Sequence, residues 1–548
     1  MQTSPITGAS AAQAAGESNG AFRQIAGGEY EHTFSTKAPA SFGRTVTHST
    51  GAYGSRNLGE FDLGTQYDDD VFHFVPDGSK VTVVRDVVRT ATCNSCHHDM
   101  GFHGGSRKTM ELCVLCHTPQ TWDPDTINTM DMTLMIHKIH MGRALPSVRK
   151  GGKYQIIGNR QAVHDYSHVP FVADPRNCGI CHETSKGATQ AANVFRPSRD
   201  ACGACHDDVN FATGEGRLAL PQVSDQQCAN CHFRQGELDF DASILGAHTI
   251  PRMSGMLAGT VPDILAVDGG APGKRPTITF TIKDKSGKPV KPSEMARLNF
   301  RFAGPSTDYQ PVISEDARRA EDSPDGRYYW TFSVPIPAGA QGTWAVGIEG
   351  RREVRLLEGT KQEQVVRDTG LNKVFHFSVD GTRIQPRRKV VATGKCNACH
   401  GALAFHGDAR NTTGNCVLRH SSQLVARGET VDFRMMIHKI HMGSGLSRGY
   451  AIGNANFSKA GYPGLRNNCE ARHVNGSQNL PLQPGLFRVA DPKGYINPAP
   501  PETAACLSCH DTRLAASHAL ANITAAGEGC AACHGPDADF SVSKVHSR

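Results

Sequence analysis

The chain has 548 residues, 20% of them charged and 38% hydrophobic, the balance of a globular protein with room for about three or four domains. No apolar run approaches the roughly 20 residues that a membrane-spanning helix needs. The outliers are 18 Cys and 26 His, with no Cys between Cys231 and Cys396, while aromatic residues at 7% are thin for so long a chain. Something other than Phe and Trp must fill part of the interior.

Met1–Gly20 is small and polar, without the basic start and apolar centre of a signal peptide. Strand-like pieces follow at Val71–Val75 and Val81–Val84, so 1–90 reads as a linker and a truncated β segment. Residues 91–250 carry five C-x-x-C-H motifs: Cys93, Cys96 and His97; Cys113, Cys116 and His117; Cys178, Cys181 and His182; Cys202, Cys205 and His206; Cys228, Cys231 and His232. Over 251–390 the pattern changes to alternating runs, clearest at Thr277–Ile282, Leu298–Phe302, Tyr328–Val334 and Val374–Val379. Turn signals at Lys285–Lys288 and Val379–Thr382 bound them, which predicts an antiparallel β-sandwich or barrel. Residues 391–548 carry three more intact motifs: Cys396, Cys399 and His400; Cys506, Cys509 and His510; Cys530, Cys533 and His534. Two altered ones lie between them, Cys416 with His420 and Cys469 with His473, where Arg419 and Arg472 replace the second cysteine. The expected fold is multidomain: two regions of coil and short helix separated by the β domain.

In C-x-x-C-H the two thiols form thioethers to haem vinyl groups and the histidine ligates iron from one face. Zinc knuckles, redox dithiols and a disulfide framework compete for such spacings, but none explains why every C-x-x-C here is followed by His. Eight pairs and two singles account for all 18 cysteines. At the altered sites one thioether and the proximal histidine remain, so either haem binds through a single thioether or the site is empty. The formal charge of +6 would be offset by the propionates of about ten haems, which argues against a nucleic-acid partner.

The two groups of five are in register. Cys93 to Cys396 and Cys113 to Cys416 are each 303 residues, Cys202 to Cys506 is 304, and Met135–Gly142 recurs letter for letter as Met436–Gly443. Phe102-His-Gly recurs as Phe405-His-Gly. Outside its motifs the second copy has five histidines for five irons: His406, His438, His441, His518 and His546. The matching first-copy candidates are His103, His137, His140 and His248. Residues three apart on a helix share a face, so His137 and His140 would serve two neighbouring haems. The fifth first-copy ligand is less plain, because Arg217 stands roughly where the second copy has His518. Arginine stays protonated and does not ligate iron. His168 is the expected substitute, with His164 nearby and an open coordination position as the rival. His32, His48, His73 and His376 read as surface residues, and His98 directly follows a proximal ligand.

The order of β segment, five haem motifs, β domain and five haem motifs, with its Phe-His-Gly and Met-Ile-His-Lys-Ile-His signatures, resembles the outer-surface decahaem c-type cytochromes of the OmcA/MtrC family. The resemblance implies ten bis-histidine, low-potential c-type haems passing electrons from the cell envelope to extracellular acceptors: metal oxides, metal chelates, or flavin and humic shuttles. It implies an outer-membrane or periplasmic cytochrome as donor, an outer-membrane porin complex as partner, export to the cell surface, and non-specific metal reductase activity. Covalent haem attachment occurs outside the cytoplasm, so Met1 is expected not to be the natural start, or a leader to have been removed. The alternative is a multihaem reductase of a small oxyanion at an open haem position; a structural filament role is a third reading.

Overall fold

The computed structural model describes residues 16–38, 40, 42–183, 186–310 and 312–546, so most of Met1–Gly20 lies outside it. It divides into two units, Met1–His248 and Thr249–Arg548.

The first unit opens on two antiparallel hairpins. One pairs β1 (Ala21–Ala26) with β2 (Glu29–Thr33), the other β3 (His48–Asn57) with β4 (Thr65–Phe74). The strand expected at Val71–Val75 is the end of β4. The one expected at Val81–Val84 belongs to no sheet, since β-branched residues supply propensity but not a pairing edge. Beyond them the chain is short helices in coil: α1 (Thr90–His97), α2 (Met110–Cys116), α3 (Met132–Met141), α4 (Pro146–Arg149), α5 (Gly179–His182), α6 (Arg199–Gly203) and α7 (Ile244–Ala247). A small apolar cluster of Met132, Met135, Leu145, Tyr154 and Ile156 supports α3. The Asp69 carboxylate on β4 accepts from the amides of Lys108 (2.6 Å) and Thr109 (3.2 Å), which ties the second hairpin to the start of α2.

The second unit begins with nine strands: β7 (Val261–Asp268) and β8 (Thr277–Lys283), after the short pair β5 (Gln155–Ile157) and β6 (Val163–Asp165) of the first unit, then β9 (Arg297–Ala303), β10 (Ile313–Asp316), β11 (Glu321–Asp322), β12 (Tyr328–Thr331), β13 (Thr343–Leu356), β14 (Gln364–Thr369) and β15 (Lys373–Ser378). They form two sheets, ordered β10-β9-β13-β14 with β15 also on β13, and β11-β12-β8-β7. Inward residues of both sheets, among them Phe280, Ile282, Phe300, Phe302, Val346 and Ile348, close one core. Among the described residues no ladder joins the sheets, so the domain is a sandwich and not a closed barrel. Helices α8 (Thr393–His400), α9 (Thr413–Arg419), α10 (Phe433–Met442), α11 (Pro501–Leu507), α12 (Arg513–Ala521), α13 (Ala531–His534) and α14 (Val542–His546) follow.

The sandwich grips the helices that come after it. Glu349 on β13 is fully buried and pairs with Arg297 (2.7 Å) and Arg301 (2.5 Å) on β9 and with Arg410 (2.9 Å) before α9. Burial opposes its ionisation, but the Arg301 and Arg410 guanidiniums outweigh it and hold the carboxyl at about 2.

The duplication reaches further upstream than the cysteine motifs. Val71-Phe-His-Phe74 recurs 303 residues later as Val374-Phe-His-Phe377. The ladders agree: Gly51 on β3 faces Val71 on β4, and Gly347 on β13 faces Val374 on β15. A Cβ on Gly51 would collide with Leu112 and Leu115 of α2, and one on Gly347 with Asn415 and Leu418 of α9. The hairpin β3–β4 is therefore the first copy's counterpart of the β13–β15 pair.

Candidate haem-iron sites

One backbone turn builds each motif. The amide of the motif histidine donates to the carbonyl of the first cysteine, for example His117 to Cys113 (2.9 Å), His182 to Cys178 (2.8 Å) and His510 to Cys506 (2.9 Å). That turn sets both cysteines and the histidine along one side of the backbone. The altered motifs keep it, with His420 to Cys416 at 3.0 Å and His473 to Cys469 at 2.9 Å. Arginine has replaced a thiol without changing the local fold. No disulfide forms among the described residues.

Nine motif histidines face a second imidazole. In the first unit the ring centroids of His97 and His140 are 6.2 Å apart, His117 and His103 6.0 Å, His182 and His137 6.0 Å, and His206 and His248 6.2 Å. In the second unit His400 and His441 are 6.3 Å apart, His420 and His406 6.1 Å, His473 and His438 5.9 Å, His510 and His546 6.0 Å, and His534 and His518 6.2 Å. These gaps are too wide for ring contact. A metal–nitrogen bond of about 2.0–2.1 Å on each side, plus about 1.1 Å from nitrogen to ring centre, gives a separation of roughly 6.3 Å. The pairs fit two imidazoles sharing one iron.

Hydrogen bonds fix which nitrogen is offered. A carbonyl only accepts, so Nδ1 must carry the proton where it meets one: His117 to Met130 (2.9 Å), His137 to Thr133 (2.6 Å), His140 to Ile136 (2.8 Å), His248 to Ile244 (2.8 Å), His420 to Val431 (2.9 Å), His534 to Phe540 (2.8 Å) and His546 to Val542 (3.0 Å). Nε2 is then left with its lone pair for a metal. Burial, reinforced by neighbouring cationic groups, pushes His182, His406 and His473 down to about 4 and His438 and His441 to about 3. These five imidazoles are held in the neutral form that ligation requires.

Helices α3 and α10 each supply two members of these pairs. Asp131 accepts from the Thr133 amide (2.9 Å) and Asp432 from the Met435 amide (3.2 Å), which caps each helix at its start. Gly142 and Gly443 end them at φ 41° and 49°, where a Cβ would strike the carbonyl of Val169 or Ala460. His137 and His140 then reach His182 and His97, two different motifs, and His438 and His441 do the same for His473 and His400.

The structure does not bring His168 to His232. His168 is exposed beside Asp165, whose carboxyl is held low mainly by hydrogen bonds from Ser167 with a small contribution from His168, and His164 is exposed on β6. The expectation that His168 completes the fifth site is not met, because the turn after β6 holds it there. Arg217 donates instead to the carbonyl of Leu220 (2.7 Å). His32 lies tilted against Phe22, His48 stacks on Phe42, His73 bonds Ser49 and His376 bonds Tyr309.

Some supporting residues were not foreseen. Ser508 holds His438 Nδ1 (3.0 Å) and Ser477 holds His473 Nδ1 (3.1 Å). Phe171 and Tyr462 stand edge-on to His140 and His441 at 5.4 and 5.5 Å. Asp207 and Asp511 accept from Ser147 and Ser447. Only the last pair had a readable signal, an Asp directly after the motif histidine in both copies.

The family model described as "Outer membrane cytochrome MtrC/MtrF-like, domains II/IV" matches residues 85–243 and 388–547, more than half of the chain. The chain belongs to this family. As a cytochrome of that kind it carries c-type haem. The multihaem cytochrome MtrC of Shewanella baltica (strain OS185) is 25% identical over 158 residues, 28% of this chain. That stretch spans only 19% of the length of this curated relative. The crystal structure of the outer membrane decahaem cytochrome OmcA superposes with a TM-score of 0.66 at 21% identity, covering 91% of this chain and 79% of that one. MtrC from Shewanella baltica OS185 gives 0.63 at 19% identity, covering 94% and 86%. At these identities the two superpositions speak for the fold. Among the described residues no helix is long and apolar enough to cross a membrane.

Proposed function

We propose that this chain relays single electrons through ten c-type haems, nine of them held between two histidines, to acceptors outside the cell. Bound haem supplies one-electron chemistry, and the chain supplies attachment, axial ligands and spacing. The nine imidazole pairs carry this reading. Cys416 and Cys469 would hold their haems by one thioether each, because both sites keep the full histidine pair.

The motifs also stand next to one another. Burial pushes the Cys93 thiol up to about 11, and the sulfurs of Cys181 and Cys113 add to it. Cys205, likewise buried, feels Cys178, and Cys202 feels Cys228. We read the first copy's sites as a row in the order two, one, three, four and five. In the second copy Cys416 feels Cys396, Cys509 feels Cys469, and Cys530 feels Cys506. A row of neighbouring sites suits relay, and outer-sphere transfer to metal oxides, metal chelates, flavin or humic shuttles requires no substrate pocket. An outer-membrane or periplasmic cytochrome would supply the electrons, with a porin holding the assembly at the cell surface.

The test is stopped-flow reoxidation of the fully reduced holoprotein by a ferric chelate and, separately, by a flavin. Relay predicts that the entire haem absorbance reoxidises with either acceptor. A fraction that stays reduced would mean the sites are not connected.

A further inference from the structure

The fifth motif of the first copy differs from the other nine. All 26 histidines lie among the described residues. Nine motif histidines have an imidazole opposite; His232 has none. Its Nδ1 donates to the Ala242 carbonyl (2.9 Å), so its Nε2 is presented as in the paired sites.

The reason lies in the segment between motifs four and five. In the second copy, Thr512 caps α12 by accepting from the Ala515 amide (3.2 Å), and the helix carries His518 to His534. The corresponding first-copy segment is Phe211-Ala-Thr-Gly-Glu-Gly-Arg-Leu-Ala-Leu220. Gly214 and Gly216 sit at φ 79° and 77°, Leu218 and Ala219 at 46° and 53°, and the segment is a run of turns. Two glycines cost a helix about 2 kcal/mol relative to alanine, and left-handed residues end it outright. The helix that would deliver a distal histidine is absent from this segment, and Arg217 occupies its place.

We propose that the haem held by Cys228, Cys231 and His232 keeps its distal position open, and that small ligands bind iron there. The inference rests on the haem reading of this motif. It adds an inner-sphere ligand site to a chain otherwise built for outer-sphere relay, at the end of the first copy's row of sites.

Three measurements on the holoprotein test this. Peptide mass mapping should find haem on the peptide containing Cys228 and Cys231; a bare peptide would overturn the haem reading there and the inference with it. The ferric protein should show high-spin haem amounting to about one haem in ten, and the reduced protein should bind carbon monoxide in the same proportion. Haem on that peptide with every haem low-spin and no carbon monoxide bound would overturn the open position alone. Replacing Cys228, Cys231 and His232 together by alanine should remove the carbon monoxide-binding haem, and its persistence would place the site elsewhere. Should that variant not fold, His168→Ala decides: an unchanged high-spin fraction is expected, whereas a new high-spin haem would make His168 a ligand.

Discussion

Arg107 and Arg410 occupy the same place in the two copies, each bridging back to the phenylalanine of a Phe-His-Gly turn, yet the β elements beside them answer differently. Against Arg410 stands Glu349 of the sandwich, buried and shared among three guanidiniums. Against Arg107, at the matching register of β3, stands the ring of Tyr53, 3.6 Å from the guanidinium carbon. One copy is clamped by a charge cluster closed off by a whole sandwich, the other by a cation on a ring within a bare hairpin. The turn it holds, and the histidine pair that turn aims, are the same: His103 and His406 sit at φ 51° and 53°, facing His117 and His420. Local turn geometry and the following helix set the site, and the β element only steadies it.

The largest expected effect comes from breaking the stronger clamp. Glu349→Gln leaves three arginines facing a neutral group and should cost the second unit about 3–5 kcal/mol, read from denaturant unfolding. Tyr53→Leu should cost the first unit only about 1 kcal/mol. Equal losses would mean the two clamps are equivalent. Acid should separate the units as well. The Glu349 carboxyl is held at about 2 against 4.5 for an ordinary glutamate, so its contribution is complete above pH 4.5 and is lost as pH falls toward 2. Stability of the second unit measured across that window should fall more steeply in the native protein than in Glu349→Gln.

Next come the paired histidines. His137→Ala and His438→Ala each remove one member of an equivalent pair, and each should convert about one haem in ten to high spin. A low-spin spectrum after either change would break that pair. The smallest effect is electrostatic. Arg472 stands where the first copy has Cys181, close enough to His473 and His441 to lower both, after burial. Arg472→Cys removes that charge and should lower the potential of the adjacent haem by on the order of tens of millivolts. The haem count should not change. An unchanged potential would mean that solvent screens the arginine fully.

The motif residues were legible because covalent attachment demands contiguous sequence, and their partners because a duplicated chain shows each histidine twice. His168 failed for a physical reason: it was reached by elimination, while Gly214 and Gly216 had already abolished the helix on which a fifth partner would ride. The sandwich strands Thr277–Ile282 and Leu298–Phe302 were plain from alternation. The kinship of β3–β4 with β13–β15 was hidden, since four letters, Val-Phe-His-Phe, are too few to carry it without the ladder register. Ser477 and Ser508 were invisible, because what makes them matter is proximity to a histidine that only the fold creates.

The altered motifs give the most direct test of the whole scheme. They keep the turn, the proximal histidine and its partner, and lack only one thiol. Intact mass of the purified holoprotein should therefore show ten haems, two of them attached at Cys416 and Cys469. A mass carrying eight would contradict it, because the imidazole pairs His406–His420 and His438–His473 would then stand without the iron they are spaced to share.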